Sequence, residues 1–487
     1  MNKIPKEVEL IADQLHQNKF KSYLVGGCLR DLLLKQAPKD WDIATDATPE
    51  KIQKIFSDTV YENNFGTVGI KTESEDETLK IIEVTTFRIE GEYKDKRHPE
   101  NIKFGNKIEE DLERRDFTIN AIALEIGDKK SSSNLVDPFN GLSDISKKII
   151  RAVKDPSERF EEDALRLLRA VRFASSLGFK IEDKTRDAIK NKAHLLEHIS
   201  KERIRDEFIK IINSAGAVSG VLNLVDLGLM KFIMPELLEG IGMGQNKHHI
   251  YSVFEHNLKS LEYAVDKNFD SDLRIASLLH DVGKSRTKNG DGLNSTFYGH
   301  QVVGEKMALK MLDKLRFSKK SIEKITLLIR EHMFVYDPES VTLAGVRRLI
   351  KRVGEENIDD LLLLREADRI GSGVPKAQPY RLRYLKAMID KVKMEPVSAK
   401  MLQIRGDEVM KILNIPAGPK IGGIIAILLE EIIDNPDLNK KENLEKRVVE
   451  LGSLSEKELA EKRQKANKSA EEEQKRIDDE IKKKYFV

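Results

Sequence analysis

The chain has 487 residues, 40% of them hydrophobic, which is enough to bury sizeable cores and favours two to four domains over one. Its 84 Lys and Arg against 82 Asp and Glu leave a net charge of only +2, so global charge makes no case for nucleic acid and any basic groove has to be local. The single cysteine, Cys28, excludes a disulfide framework and a cysteine-based zinc cluster, while charges in MNKIPKEVEL and the lack of any uncharged run near the roughly 20 residues that span a bilayer predict a soluble, cytoplasmic protein without a membrane.

In chain order, residues 1–150 hold the best strand candidates, SYLVGG, WDIAT, VGIKT and LKIIEVTTF, and predict an α/β domain. From Pro156 onward, ALRLLRAVRFASSLGF and RIRDEFIKIINSA carry helical periodicity, with Gly178 and Gly216 placed as helix ends, so the remainder is expected to be all-helical. The Pro and Gly residues of IMPELLEGIGMGQNKHH and GSGVPKAQPY divide it into a neck (151–234), a third domain (235–370) and a body (371–454). The 455–487 tail, nearly all Lys, Glu, Asp, Gln and Ala, reads as a solvated helix or a frayed extension without chemistry.

Within the α/β part, VGGCLRD ends an apolar strand in two glycines and then turns helical. That arrangement lets the backbone at Gly27 approach a phosphate, with the helix N-terminus and Arg30 supplying positive charge. Asp40-Trp41-Asp42 follows in the strand-like KDWDIAT. Alternation along a strand points both carboxylates to one spot, where a divalent cation relieves their repulsion, and oxygen-only ligands favour Mg²⁺. In the neck, EEDALRLLRAVRF places Asp163, Arg166, Arg169 and Arg172 at steps of three on a predicted helix. Asp163 and Arg166 are then neighbours, while Arg172 turns nearly opposite Asp163 toward phosphate or structure. A carboxylate that accepts beside a guanidinium that donates imitates a Watson–Crick edge and suits both cytosine and adenine.

The ordered series FGTVGI, IEVTTFR, YKDKRHPENIKF, DLERRDFTINA and DPFNGLSDI resembles the class II tRNA nucleotidyltransferase and bacterial poly(A) polymerase family, whose head is similar to the DNA polymerase beta catalytic fold. The resemblance implies that Gly27, Arg30 and Arg115 contact the incoming nucleotide and that Asp40 and Asp42 hold two metal ions for in-line transfer; Glu83, on a neighbouring strand candidate, is the expected third carboxylate. It implies CTP, ATP and tRNA as partners, and a base-reading role for Asp163 and Arg166. The EGEYKDKRHPENIKF stretch matches the loop that switches specificity from C to A, which favours complete CCA addition or addition of A. Further on, His256, His280-Asp281 and Asp368 resemble the HD phosphohydrolase pattern, with His300 and His332 as additional candidates. Their mixed imidazole and carboxylate donors suit a transition metal or Mg²⁺. Poly(A) polymerase, an A-adding enzyme, and an HD phosphohydrolase with an idle head remain as alternatives, and oligomeric state is not legible.

Overall fold

A computed structural model describes residues 4–62, 66–90, 102–127, 134–246, 250–393, 402–435 and 438–487. It divides into two compact units, residues 1–330 with 367–374, and residues 331–366 with 375–487. The expected switching loop lies largely at 91–101, outside the described residues.

The first unit opens with a mixed sheet. Its strands are β1 (Ser22–Val25), β2 (Asp42–Thr45), β3 (Thr59–Glu62), β4 (Thr67–Lys71) and β5 (Ile81–Thr86), then the separate hairpin β6 (Arg88–Glu90) and β7 (Ile102–Phe104), and finally β8 (Ala123–Glu125) and β9 (Leu135–Val136). The seven-stranded order is β3-β4-β5-β2-β1-β8-β9, with β2 and β5 parallel and the other pairs antiparallel. Leu24, Ile43, Val68, Ile82 and Val84 point to a core closed by Val8, Ile11 and Leu15 of the Lys6–Gln17 helix and by Leu29 and Leu32 of the Gly26–Leu33 helix. The opposite face of β2 and β5 is thereby left for chemistry.

After residue 150 the first unit is helical except for a short strand, Lys180–Ile181, which pairs in parallel with Ile149–Ile150 and departs from the all-helical expectation. The Pro156–Glu162, Arg166–Leu177 and Lys201–Ile212 helices form the neck, and the Val253–Asp266, Ser271–Leu279 and His300–Lys314 helices carry the histidine set. Asp163 is not on a continuous helix. It terminates the Pro156–Glu162 helix with φ −137° and ψ 102°, and the next helix begins at Arg166. Its Oδ1 accepts from the Leu165 N–H at 3.0 Å, a side-chain bond that competes with helical pairing and breaks the run.

The second unit is helical around Val409, Ile424, Leu428, Leu444, Val448 and Leu451. Its last element, the Glu456–Tyr485 helix, is capped by Ser455 with Glu458 and is anchored near its two ends. Leu459 and Ile481 are buried, Lys391 reaches Asp478 at 2.6 Å, and Arg383 Nε donates to the Tyr485 carbonyl at 2.9 Å. Apolar and ionic anchors at both ends thus hold a helix whose composition alone reads as solvated. No helix among the described residues is long and apolar enough to cross a membrane.

Candidate active site

β1 ends at Val25 and the chain turns at once into the Gly26–Leu33 helix. Gly26 sits at φ +71°, which favours glycine, and a Cβ there would stand 2.8 Å from Arg115 Nη1, so that a side chain would push this guanidinium aside. Gly27, Arg30, Asp40, Asp42, Glu83, Arg115, Asp163, Arg166, Arg169 and Arg172 all line one cleft of about 610 Å³. Every residue singled out in the head and neck is therefore in a single site.

The carboxylates arrive from two strands. Asp42 opens β2 and is the register partner of Glu83 on β5, while Asp40 lies two residues before the strand rather than within it. Both aspartates still face the glycine turn: a Cβ on Gly26 would lie 3.5 Å from Asp42 Oδ2, and one on Gly27 would lie 3.9 Å from Asp40 Oδ1. Burial, and then the charges of Asp40 and Glu83, push the Asp42 carboxyl up to about 7 against the pull of Arg115. Three hard oxygen donors that repel one another across a cleft fit a divalent cation. A cation must displace that proton, so its affinity is expected to fall about tenfold per pH unit below pH 7 and to level off above it. Trp41, the only tryptophan and buried between the two aspartates, provides the readout: fluorescence titration with Mg²⁺ from pH 5.5 to 8.5. A pH-independent midpoint would contradict it.

Arg30 is anchored by Asp31 at 2.7 Å and donates to Asn120 Oδ1 at 2.9 Å. Asn120 Nδ2 donates in turn to Asp116 Oδ1 at 3.2 Å, and Asp116 Oδ2 receives Arg169 at 2.6 Å. Burial opposes ionisation of Asp116, but Arg169 and Arg166 outweigh it and hold the carboxyl below its usual range. A buried polar chain thus ties Arg30 to the neck helix. Asp116 and Asn120 were not expected from the sequence, although both lie in the RRDFTINA run.

Arg166 donates through Nη1 to Glu162 (2.6 Å) and the Arg159 carbonyl (3.1 Å), and through Nη2 to the Arg114 carbonyl (2.9 Å). Of five N–H donors, that leaves the Nε hydrogen and one on Nη2, the number needed by the two acceptors of a cytosine edge. Asp163 Oδ2 accepts from Arg203 Nη2 at 3.0 Å, and each carboxylate oxygen retains a second lone pair. Arg172 does not turn away from Asp163, because the helix break voids the angular argument. It faces the same cleft, pairs with Glu207 at 3.2 Å and lies over the Phe173 ring at 4.3 Å. Arg203 and Glu207, from the Lys201–Ile212 helix, are two further residues that spacing along the chain did not indicate.

A second cluster lies among the helices after residue 250. His256 Nε2 is 2.9 Å from His280 Nε2, 3.1 Å from Asp281 Oδ2 and 3.3 Å from Asp368 Oδ1, and His280 Nε2 is 3.6 Å from Asp368 Oδ1. His300 Nε2 is 3.2 Å from Asp281 Oδ1. The Nδ1 atoms of His280 and His300 face the carbonyls of Ser277 (3.0 Å) and Phe297 (2.8 Å), which fixes the tautomer and leaves both Nε2 lone pairs inward. Gly283 of HDVGK makes this approach possible, since a Cβ there would meet the His300 carbonyl at 2.1 Å. Burial disfavours the His256 imidazolium, but Asp281 and Asp368 overcome it and raise the ring to about 9. The pocket is therefore built for a positive charge, and ligand atoms of His256, His280, Asp281 and Asp368, all within 4.8 Å of one another, fit a metal ion. His332 is buried just beyond the Lys319–Glu331 helix and belongs to the second unit.

A mixed sheet with three carboxylates lining one cleft beside a glycine turn, followed by a helical neck whose side chains complete the cleft, defines a nucleotidyltransferase with an attached HD domain. Family models agree: residues 22–151 match the Poly A polymerase head domain, 178–240 the probable RNA and SrmB-binding site of polymerase A, and 253–372 the HD domain. The chain is 32% identical to the A-adding tRNA nucleotidyltransferase of Deinococcus radiodurans over 84% of its length and 90% of that protein, and 32% identical to the CCA-adding enzyme of Ligilactobacillus salivarius over 89% and 93%. It also aligns with the crystal structure of the Bacillus stearothermophilus CCA-adding enzyme in complex with CTP at 28% identity and a TM-score of 0.61, covering 91% of this chain and 96% of that one. The chain belongs to the tRNA nucleotidyltransferase family of CCA-adding and A-adding enzymes.

Proposed function

We propose that this protein completes the 3′ end of tRNA by adding CCA from CTP and ATP, working in the cytoplasm. The observation that carries the reading is that one cleft unites three carboxylates, a phosphate-accepting turn and a carboxylate–guanidinium pair able to read a base. The Gly26-Gly27 backbone and Arg30 receive the triphosphate. Asp163 accepts from the exocyclic amine of cytosine or adenine, and Arg166 donates to the ring acceptors, so side chains replace a nucleic-acid template. Asp40, Asp42 and Glu83 would hold Mg²⁺, which when bound supplies charge neutralisation on the reacting phosphate and eases ionisation of the 3′ hydroxyl. Asp116 and Arg169 keep the base-reading helix registered on the head, so that the selected nucleotide meets the acceptor in one geometry. Incubation with Mg²⁺, CTP, ATP and tRNA lacking its terminus tests the reading. Addition of A alone is the second reading, favoured by the Deinococcus radiodurans relative.

The HD cluster would hold a transition metal or Mg²⁺ for hydrolysis of a phosphate ester. His256→Ala with His280→Ala is expected to empty it, lowering bound metal by one equivalent or more in elemental analysis and abolishing any Ni²⁺- or Mn²⁺-stimulated phosphatase activity. Nucleotide incorporation is expected to persist in that variant, and its loss would mean the two sites are not independent.

A further inference from the structure

We propose that the Thr67–Thr85 pair is the seat of the acceptor's terminal ribose and that its hydroxyls read the 2′-hydroxyl, making the enzyme select an RNA end over a DNA end. The inference rests on the head's reading as a nucleotidyltransferase. Thr67 and Thr85 are register partners on β4 and β5, half-buried, with their Oγ1 atoms 3.0 Å apart, and both line the cleft. Thr85 lies two residues from Glu83, on the same face of β5 and next to the carboxylates.

The assignment comes from the direction of the reaction. In-line displacement brings the attacking oxygen in opposite the departing pyrophosphate. The cleft is lined by Gly26, Gly27 and Arg30 at the glycine turn, by Asp163 and Arg166 from the neck, and by the carboxylates Asp40, Asp42 and Glu83. Thr67 and Thr85 form a strand surface of that cleft with hydroxyls beside the Glu83 carboxylate, where an acceptor ribose can be held next to the reacting centre. Two threonine hydroxyls bring two hydrogens and four lone pairs. Their mutual bond consumes one of each, leaving one donor and three acceptors, which matches a 2′-hydroxyl that both donates and accepts.

The test compares A addition to two tRNA transcripts ending in CC, one with a terminal ribocytidine and one with 2′-deoxycytidine, both retaining the 3′ hydroxyl. Wild type is expected to favour the ribo end by about fivefold to tenfold in kcat/KM, through the acceptor KM, as one neutral hydrogen bond predicts. In Thr67→Val with Thr85→Val that ratio falls to near one without a shift in the KM for ATP, and Thr85→Ser alone keeps the wild-type ratio. A wild-type ratio near one overturns the proposal, as does an equal loss on both acceptors in the double variant, which would mark the threonines as structural. Failure of wild type to extend either transcript overturns the underlying reading, and the proposal with it.

Discussion

Asp42→Asn stops nucleotide transfer, with a loss of about a thousandfold or more, and at the same time makes the metal-free protein more stable above pH 7. The loss follows from removing a charged oxygen donor from the three-carboxylate cluster, since charge stabilisation of a transferring phosphoryl group is worth several kcal/mol. The gain in stability has a definite sign. The Asp42 carboxyl titrates near 7 in the folded chain, well above an ordinary aspartate, so the folded state binds a proton that the unfolded state has already released. Stability therefore falls as pH rises from about 4 to 7, and the penalty persists above 7. Asparagine fills the same space without it. Melting curves in EDTA should separate above pH 7, with the variant higher, and converge toward pH 4. Mg²⁺ should raise the melting temperature of wild type alone. A variant that melts lower at pH 8, or that retains near-normal incorporation, would remove Asp42 from the site.

Asp163→Asn is expected to change which nucleotide is chosen more than how fast any is used. In the proposed base-reading role the carboxylate would accept from the cytosine amine and oppose the carbonyl that uracil presents in the same place, whereas an amide would supply a donor to that carbonyl. Each such contact carries about 1–3 kcal/mol of discrimination, so preference for CTP over UTP should drop by ten- to a hundredfold, partly by gain of UTP use. Competition between labelled CTP and UTP on a tRNA lacking its terminus reads this ratio directly. A uniform loss over all four nucleotides would instead assign Asp163 the task of holding Arg203 and the helix break.

Much of the site was legible in the sequence because its residues come in short local runs. VGGCLRD ends a strand, Asp42 of KDWDIAT begins one and HDVGK ends a helix, so local spacing places these side chains, whereas Asp40 reaches the cleft from the loop before its strand. The angular argument along EEDALRLLRAVRF failed at Asp163, whose own side chain caps Leu165 and breaks the helix, and this is why Arg172 faces the cleft. Asp116, Arg203 and Glu207 escaped notice for another reason. Their partners Arg169, Asp163 and Arg172 lie 53, 40 and 35 residues away, and no local period encodes such pairs. The tail forms the charged helix that its composition suggests, and the anchors Leu459 and Ile481 were not legible because two buried apolar residues are hidden among so many charges.

The most direct test of the central claim is incubation of the protein with Mg²⁺, labelled CTP and ATP, and three tRNA transcripts ending at the discriminator base, at CC, or in CCA. The account predicts addition of CCA to the first, of A to the second, and nothing to the third. Extension of the CC-ended transcript alone, or long adenylate tails on all three, would contradict it.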